Sequence, residues 1–130
     1  MPYLLDSDWA MQALAGHAEV NATIKRLRPE GISISWLAVG EIYEGAFDKP
    51  DPQAALTTYR RFLQPFPILG LNDPIMERFA EVRAELRRRG QIIPDLDLLA
   101  AATALHHDLT VLTSDKHFQR VPGLKVHREQ

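Results

Sequence analysis

The chain of 130 residues carries 15 Lys and Arg against 17 Asp and Glu, a formal charge of −2, and is 45% hydrophobic. These values fit one globular domain over residues 1–130 with a sizeable core, and no apolar run is long enough for a transmembrane helix. Cysteine is absent, which excludes disulfides and thiolate metal sites and suits a reducing cytoplasm. The opening Met1–Asp6 lacks the basic region and apolar stretch of a signal peptide. A slightly negative chain does not announce a nucleic-acid binder, which usually carries a basic patch. Setting four clustered acids aside moves the balance to about +2, however, so a local basic surface stays compatible with the composition.

Leu4-Leu5 reads as a short buried strand that stops at Asp6. Asp8 is placed to cap a helix in which Trp9, Ala10, Ala13 and Leu14 keep helical spacing, with Gly16 as its stop. A second helix runs from about Ala18 to Leu27 and ends among Lys25, Arg26 and Arg28, where cations favour a helix C-terminus. After the turn Pro29-Glu30-Gly31, the alternating Ile32-Ser33-Ile34-Ser35 is a strand. Ser35 then caps a helix from Trp36 to about Ala46, with Leu37 and Glu41 one turn apart on one face.

Asp51 as cap and Pro52 at the first helical position begin the next helix, whose stripe is Leu56, Tyr59, Phe62 and Leu63. Phe66-Pro67-Ile68-Leu69 is a weak strand, placed near an edge by its proline. Asp73-Pro74 repeats the cap-plus-proline signal for a helix carrying Ile75, Phe79, Val82 and Leu86, closed by Arg87-Arg88-Arg89-Gly90. Pro94-Asp95 opens a helix to about His107, Thr110–Thr113 is a strand, and Leu124–Val126 is a last edge strand.

This alternation predicts a three-layer α/β/α sandwich on a mostly parallel sheet of about five strands. In such a sheet ligands bind beyond the carboxyl ends of the strands. Asp6, Glu41, Asp97 and Asp115 all follow strands or open strand-following helices. Gathered there, four acids repel one another unless a cation sits between them, and oxygen ligands suit Mg²⁺ or Mn²⁺. Each acid alone also reads as a cap or a solvated side chain, and Asp95 and Asp97 compete because both flank Leu96. Ser7 and Ser114 neighbour two of the acids and can hold a carboxylate or a phosphate oxygen. Lys116, His117 and Arg120 follow Asp115 and suit phosphate contacts. The five histidines show no metal-ligand spacing among themselves, and neither a glycine-rich phosphate loop nor a Gly-x-Ser-x-Gly elbow occurs.

Four segments carry a family resemblance: Tyr3-Leu4-Leu5-Asp6-Ser7-Asp8; Ile34-Ser35 through Gly40-Glu41-Ile42-Tyr43-Glu44-Gly45; Ile93-Pro94-Asp95-Leu96-Asp97-Leu98-Leu99 with the alanines that follow; and Leu112-Thr113-Ser114-Asp115 with Phe118 and Val121-Pro122-Gly123-Leu124. Together they resemble the PIN-domain family, and within it the VapC-type toxins of type II toxin–antitoxin modules. The third segment is the most specific, since the family's third acid directly precedes two apolar residues and the alanines; this selects Asp97 over Asp95. Ala100 departs from the larger aliphatic common there, and the fourth acid, Asp115 here, is the family's most variable.

The resemblance implies a PIN-like fold and a Mg²⁺- or Mn²⁺-dependent endoribonuclease that cuts tRNA, rRNA or mRNA and halts translation. It assigns Asp6 and Asp97 as central metal ligands. Glu41 binds through water or orients the nucleophile, and Asp115 completes the shell. Ser7, Ser114, Lys116 and Arg120 contact substrate. It further implies a homodimer and a cognate VapB-type antitoxin, with operator DNA bound only through that antitoxin and no membrane partner. Two other readings stand beside it. One is a PIN-like RNA- or protein-binding module whose acids are structural. The other is a haloacid-dehalogenase-like phosphatase opening on Asp6-Ser7-Asp8, a pattern that wants Thr or Val where this chain has Ala10.

Overall fold

Strand-length apolar runs alternating with longer amphipathic stretches require crossover connections, and these produce a parallel sheet. A computed structural model describes residues 2–127. Its strands are β1 (Tyr3–Leu5), β2 (Ile32–Ser35), β3 (Ile68–Leu69), β4 (Thr110–Leu112) and β5 (Lys125–Val126). They form one sheet in the order β3-β2-β1-β4-β5, and every pairing is parallel. The helices are α1 (Ser7–Leu14), α2 (Ala18–Leu27), α3 (Trp36–Ala46), α4 (Pro52–Leu63), α5 (Asp73–Arg88) and α6 (Asp95–His107). Short 3-10 turns span Arg28–Glu30 and Lys116–Arg120. No described helix is long and apolar enough to cross a membrane.

The pleat divides the core into two layers because successive side chains point to opposite faces of the sheet. Leu5, Ile34 and Leu112 pack with Trp9, Ile24, Ala38, Ile42 and Leu56 from α1–α4. Leu4 and Val111 face the other way, against Val82 and Leu86 of α5, Leu98 and Ala101 of α6, and Phe118. The alanine run has a packing reason: Ala101 and Ala104 are fully buried, and their small side chains bring α6 close to the sheet. The predicted edge positions of β3 and β5 are those observed.

Helix starts follow the predicted chemistry at Ser35 and Asp51, whose side-chain oxygens accept from the backbone N–H of Ala38 (3.2 Å) and Ala54 (3.1 Å). Three other expected caps are corrected. Helix α1 begins at Ser7, so Asp6 is the N-cap residue and Asp8 lies inside the first turn. At α5 the cap is Asn72, which accepts from Ile75 N–H at 3.0 Å and leaves Asp73 in the first turn. At α6 Pro94 holds the cap position with extended ψ, so Asp95 is already helical; its carboxylate instead meets Arg83 Nε at 3.2 Å. In each case a residue one or two positions upstream supplies the extended backbone that a cap needs, and the acid lies in the first turn.

Candidate active site

The chain fills one side of β1 with β2 and β3 and then returns to fill the other with β4 and β5. The carboxyl ends of β1 and β4 therefore form the topological switch point, where an open α/β sheet leaves a crevice. Asp6 leaves β1 into that crevice. Its backbone N–H continues the ladder to Leu112 O (3.1 Å), its own carbonyl starts α1, and its carboxylate is 7% exposed. Thr113, just past β4, donates its hydroxyl proton to Asp6 Oδ2 at 2.8 Å and accepts from the Asp115 N–H at 3.0 Å. Burial pushes the Asp6 carboxyl up to about 8; the Asp8 charge adds to this and the Thr113 hydrogen bond opposes it.

Asp8 is structural. One oxygen accepts from the Trp9 N–H (2.7 Å) and the other from the Ser114 N–H (3.0 Å), which ties α1 to the segment after β4. Both Asp8 oxygens are thus engaged by backbone N–H groups. Ser7 donates to Glu41 Oε1 at 3.1 Å, joining the start of α1 to the middle of α3. Burial raises the Glu41 carboxyl, opposed by the Ser7 hydrogen bond and reinforced by Asp97 and by Glu44 and Asp8.

Asp97, in the first turn of α6, is half-buried and also raised, by burial and then by the charge of Asp115. Asp115 caps the following 3-10 turn through the His117 N–H at 2.9 Å, and this folds the imidazole back over the acids. His117 Nδ1 lies 3.2 Å from Asp115 Oδ1 and 3.4 Å from Asp97 Oδ2. That nitrogen is shielded from solvent, yet neither contact has the direction of a hydrogen bond.

The PIN domain family matches residues 3–124. The chain belongs to the PIN-domain family. Ribonuclease VapC4 of Mycobacterium tuberculosis is 31% identical over 96 residues, covering 72% of this chain and 73% of that protein. Ribonuclease VapC2 of Rickettsia felis is 27% identical over 127 residues, covering 95% of each. Among solved structures, VapBC2 from Rickettsia felis bound to a DNA fragment from its promoter superposes with a TM-score of 0.92 at 24% identity over 100% of both chains.

In this PIN domain the donor atoms of Asp97, Asp115 and His117 lie within 4.8 Å of one another. Two carboxylates and an orphaned, solvent-shielded imidazole nitrogen are a donor set that fits a divalent cation. Asp6 and Glu41 stand at the same sheet edge, and Glu41 is electrostatically linked to both Asp8 and Asp97. Of the four predicted acids, Asp97 and Asp115 share the cluster, Glu41 is linked to Asp97, and Asp6 is held against Thr113 and Asp8.

The predicted substrate residues fall differently. Ser7 is within the acid network. Ser114 turns toward α1 and accepts from Trp9 Nε1 (3.1 Å) and Gln12 Nε2 (3.5 Å). Lys116 is exposed beside Asp115. Arg120 donates to Ile92 O at 3.1 Å and steadies the segment that leads into α6. Sequence reasoning missed Thr113 and read His117 only as a phosphate contact, where the structure sets its Nδ1 beside Asp97 and Asp115. A hydroxyl two residues before Asp115 and an imidazole two residues after it were the available signals; the pairing of β4 with β1 brings the first to Asp6, and the 3-10 turn folds the second onto the acids.

Proposed function

We propose that this chain, as a single PIN domain over residues 1–130, is a divalent-metal-dependent endoribonuclease of the VapC type. The carrying observation is the convergence of Asp97, Asp115 and His117 Nδ1 at the switch point of a PIN-domain sheet, beside Asp6 and Glu41. Curated relatives named ribonucleases support the reaction class. The holding residues would be Asp6, Asp97 and Asp115, joined by His117 and, directly or through water, by Glu41, with Mg²⁺ or Mn²⁺ as the ion. Bound there, the ion supplies Lewis acidity toward a phosphodiester and its attacking water.

The chain's own groups do the rest. Thr113 orients Asp6 through its donated hydrogen bond. Ser7 fixes Glu41 Oε1, which leaves Oε2 to receive the proton of an attacking water; a carboxyl raised by burial is a stronger base for that task. Lys116, Arg120 and the Ser114 hydroxyl proton contact the phosphates on the β4 side. The substrate is RNA, read through unpaired segments, since the duplex major groove is too narrow to admit side chains. In a cytoplasmic setting the protein forms a homodimer and is silenced by a VapB-type antitoxin, which alone contacts operator DNA.

The test is cleavage of a structured RNA by the purified protein. Cleavage is expected with Mn²⁺ or Mg²⁺ and not with EDTA. Asp97→Asn is expected to lower it about a hundredfold or more, the scale of losing one electrostatic partner in an active site. Asp95→Asn is expected to retain most of it, since Asp95 meets only Arg83. Equal loss in both variants, or cleavage indifferent to EDTA, would overturn the assignment.

A further inference from the structure

Trp36, the first residue of α3, is 58% exposed, while Trp9 is 2% exposed. The exposed indole stands with the exposed Leu96 on one groove, and contiguous exposed apolar surface marks an interaction site more than a single residue does. Trp36 forms one wall of a shallow groove with Leu37, Gly40, Glu41, Glu44 and Leu96. Three observations define what the groove accepts. It is continuous with the acid centre, because Glu41 lines both. Its charged walls are two carboxylates, which repel a phosphate and tolerate a neutral, flat group. Its floor is open at Gly40, where an added Cβ would meet nothing within 4 Å. Gly70, after β3, leaves the indole room: a Cβ placed there would lie 3.9 Å from Trp36 Cδ1.

We propose that Trp36 is a stacking platform for one unpaired nucleobase of the RNA, next to the phosphate that is cut. The proposal rests on the ribonuclease reading and names how that site chooses its substrate. The phosphate enters the acid centre, and the attached base turns aside over the indole. Base–aromatic stacking tolerates any base because every base has a π-face. The groove therefore selects an unstacked nucleotide rather than a particular sequence. A duplex offers no such base, so paired RNA is disfavoured by this contact on a scale of about tenfold.

The experiment uses tryptophan fluorescence and cleavage kinetics on the full chain. A short unstructured RNA is titrated in EDTA, so that nothing is cut. Quenching of the exposed indole is expected with the single strand and not with a duplex, while the buried Trp9 reports an unquenched remainder. Trp36→Ala is expected to lose the quench and raise KM about tenfold, the scale of one lost stack, with kcat within about twofold. Trp36→Phe retains most of the binding.

Gly40→Leu is a second, independent variant. It fills the groove while favouring the helix, so it is expected to raise KM with no loss of thermal stability. If the wild type cuts RNA and Trp36→Ala cuts it with unchanged KM, the platform is overturned while the ribonuclease reading stands. If Trp36→Ala instead changes the oligomeric mass or abolishes antitoxin binding with RNA affinity intact, the groove seats a protein and the proposal is overturned. A wild type that neither cuts nor binds RNA overturns both.

Discussion

Asp6 is the one charged residue that is buried among the described residues, and its behaviour with pH follows from that. Its folded-state carboxyl is raised to about 8 from an ordinary 3.8. Between those values the metal-free folded protein keeps a proton that the unfolded chain releases. Unfolding free energy therefore falls as pH rises through that window and is flat on either side of it. Asp6→Asn removes the titration while leaving an acceptor oxygen for Thr113. In EDTA, the variant is expected to match the wild type at pH 4 and to melt higher at pH 9, on the order of 5 °C. Melting curves against pH check this; a wild-type profile no steeper than that of the variant would refute it.

At the scale of elements, each acid reaches the crevice on a differently anchored support. Glu41 is delivered by α3, which is capped by Ser35 immediately after β2, so strand and helix join without a loop. Ser35→Ala removes the acceptor for Ala38 N–H and is expected to cost about 1 kcal/mol. Because the same helix start carries Trp36 and, further along, Glu41, activity is expected to fall with it, and Ser35→Thr to restore both. Chemical denaturation with parallel cleavage assays measures the pair.

The caps also show where reading the sequence succeeds and fails. Ser35 and Asp51 were legible because an acceptor directly precedes a helix-favouring run. Asp8, Asp73 and Asp95 were misplaced by one or two positions. A cap is decided by which residue has extended φ and ψ, and Asp6, Asn72 and Pro94 have them. This error had a consequence for the site: Asp95 is excluded from the acid cluster by its pairing with Arg83, not by capping.

Over the whole molecule, the three-layer α/β plan was legible because hydrophobic period switches between strand and helix along the chain. The two-layer division of the core follows from Leu4-Leu5 and Val111-Leu112, each pair buried on both faces. The strand order was not legible, since nothing local in Thr110–Leu112 says that it pairs with β1. That pairing is what brings Thr113, Asp115 and His117 to Asp6. The assembled donors should respond to cation as one unit. Mn²⁺ at about a hundred times its dissociation constant contributes about 2.7 kcal/mol to stability, read as a rise in Tm. The rise is expected to be larger at pH 8 than at pH 5, because the raised carboxyls of Asp6 and Asp97 must lose their protons to bind. Asp97→Asn should remove most of it. A Tm unmoved by Mn²⁺ at pH 8 would mean that the cluster is not a cation site.

The hydrogen bond from Thr113 to Asp6 joins residues 107 positions apart, and the bond from Ser114 to Asp8 spans 106. Chains are made from the N-terminus and elements fold as they emerge, so the first acid exists long before its partner. Any nascent chain that stops short of β4 lacks Thr113, Asp115 and His117 and leaves Asp6 without its hydroxyl donor. Assembly of the acid site is thus withheld until synthesis has passed most of the sequence.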